Sequence, residues 1–131
     1  ATQLIRESLQ SSSYLEDIIF VGFVDDASRE WLYANCLCFI FPSRYEGFGL
    51  PILEAMVHGC PVVSYRNAAI VEVASDLPIS VTTSSEIAGE VEDLVKLSKF
   101  NIEKIGSNNI DHALKFDWCK TSSKLIEEIK N

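Results

Sequence analysis

Apolar positions along this chain fall into two alternating rhythms. Residues 2–12 carry Leu4, Ile5 and Leu9 at helical spacing. Ile18-Ile19-Phe20-Val21 is a β-branched and aromatic run, so residues 17–24 are predicted to form a strand, with Gly22 near its end. Asp26 is placed to cap a helix over 27–35, whose apolar residues are Trp31, Leu32 and Ala34. Leu37-Cys38-Phe39-Ile40-Phe41 is continuously apolar and of strand length, the pattern of a parallel strand buried on both faces.

The alternation continues. Residues 51–58 read as a short helix stopped by Gly59, and 61–65 as another strand. A helical turn over 69–74 precedes a weaker strand over 78–82. From Ser84, a candidate cap together with Ser85, the pattern is helical through 86–99, 102–114 and 117–130. Strands alternating with helices predict an α/β domain with a parallel sheet. Three closing helices outnumber the strands left to receive them, so some are expected to pack on a partner domain.

Composition narrows this picture. With 131 residues, 47% of them hydrophobic, the chain can build one core but not two, and a single domain over 1–131 is expected. The longest apolar run, 36–42, is far below a membrane span, and no N-terminal signal is visible. A cytoplasmic protein is expected, with peripheral membrane contact left open. The net charge of −8 argues against a nucleic-acid partner, which would need clustered Lys and Arg. An anionic ligand must then be held by local groups, such as backbone N–H donors, a helix dipole or a placed cation. The cysteines at 36, 38, 60 and 119 match no zinc spacing, and Cys36 and Cys38 fall on one face of an apolar strand; all four are expected to be reduced core residues, with a metal or redox role as the alternative.

The segment from Phe41 to Met56 carries the candidate chemistry. A buried strand ends at Pro42, a loop with Gly47 and Gly49 follows, and Pro51 suits the opening of a helix. Ligands of open α/β sheets sit beyond the carboxyl ends of strands, where this loop must lie. The glycines permit close backbone approach, and the helix start offers N–H groups to an anion. Glu54 lies one turn into that helix, placed to accept from a bound hydroxyl. No Asp-x-Asp pair stands at the mouth, and Asp25-Asp26 reads as a helix cap, so no obligatory metal is expected; no cofactor is expected either. Arg44 and Arg66 flank the mouth as weaker candidates for phosphate contact. Tyr45 and Phe48 are candidates either to border a bound ligand or to pack in the core.

Taken whole, Pro42-Ser43-x-x-Glu46-Gly47-Phe48-Gly49-Leu50-Pro51-x-x-Glu54-Ala55-Met56-x-x-Gly59-x-Pro61-Val62-Val63 resembles the donor-site signature of the group 1 glycosyltransferases, retaining enzymes of the GT-B fold. Val21-Gly22-Phe23, Leu32-Tyr33-Ala34, Glu72-Val73 and Phe116-Asp117-Trp118 agree with it. The resemblance implies a Rossmann-like parallel sheet with flanking helices, part of the C-terminal, donor-binding domain of such an enzyme. It implies that Glu46, the candidate catalytic residue, meets hydroxyls of the donor sugar, and that Glu54 holds the ribose of the nucleotide. Gly47, Phe48, Gly49 and Leu50 would present their backbone to the sugar and the diphosphate. The implied partners are a nucleotide-sugar donor and, through an absent N-terminal domain, a glycan or lipid acceptor.

Two strand–helix units that would open such a domain have no counterpart here. In the family they supply an Arg and a Lys to the diphosphate, and they separate the 17–24 strand from the 37–41 strand. Either those two strands pair directly, or an exposed edge drives self-association. This piece alone is expected not to transfer sugar. Competing readings are a non-catalytic nucleotide or sugar-phosphate binding module of the same fold, an epimerase-like relative, and a purely structural α/β domain.

Overall fold

The computed structural model describes residues 2–10 and 12–130, together with all side chains among them except those of positions 2, 118 and 130. Its centre is a three-stranded parallel sheet of order β1-β2-β3, formed by Phe39–Phe41, Val62–Tyr65 and Ile79–Val81. The register sets Phe39 against Val62 and Phe41 against Ser64, then Val63 against Ile79 and Tyr65 against Val81. Every residue of β2 is buried, because it is paired on both sides and covered on both faces.

Side-chain alternation along β2 divides the core. Val62 faces a cluster with Tyr33, Ile52, Ala55, Met56 and Ile70, contributed by α2 (Asp26–Asn35), α3 (Leu50–Val57) and α4 (Ala68–Ala74). Val63 and Tyr65 face Val81, Leu94 and Ile87, beneath α5 (Ser84–Lys96). The next helix, α6 (Lys99–Ala113), runs between the two clusters, giving Ile102 and Ile105 to the second and Ala113 to the first. Its contact with α3 is very close. A Cβ added to Gly106 would stand 2.8 Å from the carbonyl oxygen of Gly59, so the two backbones touch. Asn109, one turn on, donates from Nδ2 to the carbonyl of Cys60 at 2.8 Å.

The α/β class, the parallel sheet and the flanking helices are as the hydrophobic rhythm predicts. Strands are shorter than forecast, since the first residues of the runs 37–41 and 61–65 and both end residues of 78–82 stay outside the ladders. One forecast element is absent. Residues 18–24 form no strand; a 3-10 turn at Leu15–Asp17 leads into an irregular stretch that leaves Phe23 99% exposed. The segment finds no ladder partner among the described residues, and an apolar run becomes a strand only where its backbone pairs. Among the described residues β1 pairs only with β2, so the direct pairing of 17–24 with 37–41 does not occur.

Boundaries also shift. Asp25, not Asp26, caps α2, accepting from the Ser28 amide at 2.8 Å. Cys36 terminates that helix rather than joining the strand. At the N-terminus, α1 covers Thr2–Leu9, and position 11 of the forecast helix lies outside the described residues. The last helix, α7 (Trp118–Lys130), leaves Leu125, Ile126 and Ile129 exposed. None of the described helices is long and apolar enough to cross a membrane.

Candidate functional site

Because the strands are parallel, the loops leaving β1, β2 and β3 all emerge at one edge of the sheet. There they start α3, α4 and α5. Two of these starts are closed by the chain itself. At α4, Asn67 Oδ1 accepts from the Ile70 amide at 3.0 Å. At α5, Thr83 Oγ1 accepts from the Glu86 amide at 3.4 Å, while Glu86 reaches back to the Thr82 amide at 2.9 Å. These bonds hold the Glu86 carboxyl below its ordinary range, with the Thr82 amide the largest cause.

The third start is bare. Gly49 caps α3 in the left-handed conformation, with φ 92° and ψ 38°, and brings no side chain to the first turn. Leu50 is the first helical residue and Pro51 the second, so the proline removes a donor that would otherwise need a partner. The Ile52 amide turns back to the Gly49 carbonyl at 3.0 Å. Among the described residues, none of the amides of Gly47, Phe48, Gly49 and Leu50 donates to a protein acceptor. A row of such amides at a helix start is an arrangement that favours anions.

The loop that carries these amides is held from several sides. Ser43 Oγ donates to the Tyr45 carbonyl at 3.1 Å. Asn67, the cap of α4, also approaches the Ser43 carbonyl through Nδ2 at 3.5 Å, linking the first two loops. Arg44 lays its guanidinium over the Tyr65 ring at 5.0 Å. Phe48 meets Phe116 edge-on, with centroids 6.4 Å apart. Phe116 in turn leans on His112, whose Nε2 lies 2.8 Å from the Val73 carbonyl. The C-terminal segment thus buttresses the loop.

The two acids fall differently. Glu46 sits half-buried on the same loop as Gly47, Phe48, Gly49 and Leu50. Glu54, on α3, turns toward α2, where its Oε2 lies 3.3 Å from Arg29 Nε. This is an ion pair by distance, although Arg29 Nε lacks an aligned hydrogen bond. Arg29 also meets Asp26 at 2.9 Å, and the Glu54 carboxylate is the main cause that raises its pKa. Beside them, burial first and the charge of Glu54 second push the Tyr33 hydroxyl up.

Other candidates are engaged elsewhere. Arg66 pairs with Asp76 at 2.9 Å, and Tyr45 is 92% exposed. His58, which the sequence did not single out for the site, stacks on Tyr33, with centroids 6.2 Å apart. Sequence reading missed Arg29 and Asn67. An Asn just before a helical run is a capping signal that was available for Asn67. Nothing local joins Arg29 to Glu54, which meet only through the packing of α2 on α3.

Comparison with known proteins identifies the family. Residues 2–97 match the family model for "Glycosyl transferases group 1", and the chain belongs to that family. It is similar to the O-antigen chain mannosyltransferase B of Escherichia coli, 33% identical over 114 residues, which cover 86% of this chain and 30% of that protein. The alpha-1,3/1,6-mannosyltransferase ALG2 of Dictyostelium discoideum is 34% identical over 74 residues, covering 56% and 18%. The sulfoquinovosyl transferase SQD2 of Arabidopsis thaliana is 29% identical over 116 residues, covering 84% and 23%. The chain thus spans less than a third of the length of each of these relatives. No solved structure matches it.

Proposed function

We propose that this chain is the donor-binding piece of a longer glycosyltransferase, which transfers a sugar with retention from a nucleoside diphosphate sugar to a glycan or lipid acceptor. The observation that carries the reading is the contrast at the sheet edge: α4 and α5 close their own N-termini, whereas α3 presents backbone amides behind a left-handed glycine. In this reading those amides receive the diphosphate. Charge builds on it as the sugar becomes oxocarbenium-like, so donors fixed there stabilise the transition state more than the ground state. Glu46 meets the sugar hydroxyls and Glu54, oriented by Arg29, accepts from the ribose. Both acids position the donor, and neither has to move a proton.

Mannosyl transfer is named for the Escherichia coli and Dictyostelium relatives and sulfoquinovosyl transfer for the Arabidopsis one, which leaves the sugar at the hexosyl level. Acceptor binding belongs to a further domain, so this piece alone is inactive; sugar transfer by the purified chain refutes that. The open rim of β1 and the exposed 18–24 segment promote self-association in dilute solution, which sedimentation tests.

The direct test of the reading is calorimetric titration of the 131-residue chain with uridine, guanosine and adenosine diphosphates. Binding of at least one, lost on Glu54→Ala, supports it. If none binds, or if Glu54→Ala binds as well as the parent, the donor site is not here.

A further inference from the structure

The cysteines of this chain have no part in the donor reading, yet two of them touch. Cys36 ends α2 and Cys60 follows the turn that ends α3, 24 positions later, and their Sγ atoms lie 3.2 Å apart with no bond between them. Contraction by a little over 1 Å would reach the length of a disulfide, about 2.05 Å. We propose that Cys36 and Cys60 form a reversible dithiol–disulfide site, oxidised by a peroxide with Cys36 as the attacking thiol and Cys60 as the resolving one.

Exposure sets the order of events. Cys36 is exposed and lines a shallow groove of about 370 Å³ with Arg29, Leu32, Cys38 and Ile40, so a small oxidant can reach it. Cys60 is 2% exposed and sits among Tyr33, Ala55 and Val62, where only a neighbouring side chain can reach its sulfur. Burial and the contact with Cys36 also push the Cys60 thiol up, which keeps it protonated until a partner presents itself. Cys60 donates to the Pro61 carbonyl at 3.3 Å and Cys36 to the Tyr33 carbonyl at 3.6 Å.

The chemistry balances without any other reagent. Cys36 gives up its thiol proton and its sulfur attacks one oxygen of hydrogen peroxide. The O–O bond breaks, one oxygen leaves with that proton as water, and Cys36 becomes a sulfenic acid. The Cys60 sulfur then attacks the Cys36 sulfur, the S–O bond breaks, and the hydroxyl leaves with the Cys60 proton as a second water. Two thiols and one peroxide give one disulfide and two waters. The ring so closed encloses the loop and helix that carry residues 46–54, and fastens the end of α2 to the turn after α3.

The test is to treat the reduced chain with dilute hydrogen peroxide, block the remaining thiols by alkylation, and map the peptides by mass spectrometry. Expected is an intramolecular Cys36–Cys60 link that dithiothreitol reverses, with Cys38 and Cys119 alkylated. In Cys36→Ser, Cys60 is expected to stay a free thiol. The proposal is overturned if Cys36 runs on to sulfinic acid while Cys60 remains alkylatable, or if Cys60 is found linked to Cys38. It is equally overturned if Cys36 is found only in links between chains, if both thiols survive, or if Cys60 oxidises as readily in Cys36→Ser as in the parent.

Discussion

One substitution made on two neighbouring helices should change stability in opposite directions. Gly89 lies exposed in α5, and a Cβ built on it meets nothing within 4 Å. Gly89→Ala therefore gains only helix propensity and is expected to stabilise the fold by about 0.5–1 kcal/mol. Gly106 lies buried in α6, where the same Cβ falls 2.8 Å from the Gly59 carbonyl oxygen and 3.6 Å from the Gly59 Cα. That neighbour is backbone and has nowhere to go. Gly59 holds φ +72°, and a Cβ there would itself meet Ile110 Cδ1 at 3.3 Å. The residue after it is fixed by the Cys60 amide bonding to the Ala55 carbonyl at 3.1 Å. Relief requires α6 to back away from α3 by roughly half an ångström, the shortfall from an ordinary contact. The bond from Asn109 to the Cys60 carbonyl lengthens with it, and Asn109 Oδ1 is already buried without a partner.

Overpacking of this kind costs about 1–3 kcal/mol and a weakened buried hydrogen bond about 1 kcal/mol, against a propensity gain of about 1 kcal/mol. Gly106→Ala should thus lose about 1–3 kcal/mol, while Gly89→Ala gains. Urea unfolding followed by helical circular dichroism reads both. Equal stability of the two variants would refute the backbone-to-backbone contact of α6 with the α3 turn, and with it the account of what holds α3 in place.

Gly49→Ala meets only Ile70 and Ile52 carbons at 3.8 and 3.9 Å, so its cost is the left-handed backbone alone. About 1 kcal/mol of stability should be lost, and nucleoside diphosphate binding should weaken at least tenfold as the loop amides turn; unchanged affinity in calorimetry would count against them. Asn67→Ala removes the cap of α4 and should cost about 1 kcal/mol in thermal or urea unfolding. Glu86 has a folded pKa depressed below its ordinary 4.5, so it adds stability above the unfolded value that fades as pH falls through the lower folded one. The melting temperature of Glu86→Gln should accordingly fall less than that of the parent on acidification below about pH 4.5. Diphosphate affinity should hold or rise slightly between 50 and 300 mM salt, because screening relieves repulsion from a chain of net charge −8. A steep loss would point to lysine or arginine contacts instead.

The fold was largely legible because burial imposes its own period. The run 37–41 and the run 61–65 are apolar on both faces, and both supply strands of the sheet. Residues 17–24 have the same composition but form no strand, since a strand forms only where it pairs, and composition does not decide which edge a run reaches. The loop of the candidate site was legible through its order of glycines, proline and acids. Its surroundings were not. Arg29 reaches Glu54, and Phe116 reaches Phe48, across distances in sequence that no local pattern encodes. The cysteine reading erred for a related reason: Cys36 was assigned to a strand face with Cys38, whereas the end of α2 turns it toward Cys60.

The three helix starts explain how an acidic chain can favour an anion at one point. Macroscopic charge works against it, and the nearby Arg44 and Arg66 are occupied by the Tyr65 ring and by Asp76. What remains is short-range and fixed by the backbone. At α4 and α5 the capping side chains bond the first-turn donors, Glu86 adding a negative charge at the positive end of α5. At α3 a capping Asp or Ser at position 49 would do the same and would close the site. A glycine there, in a conformation that side chains resist, leaves the donors unspent, and Pro51 lowers the number that must be left so. On the proposed reading, selectivity for an anion at α3 over the other two starts would follow from which caps are withheld, and it would need no net positive charge.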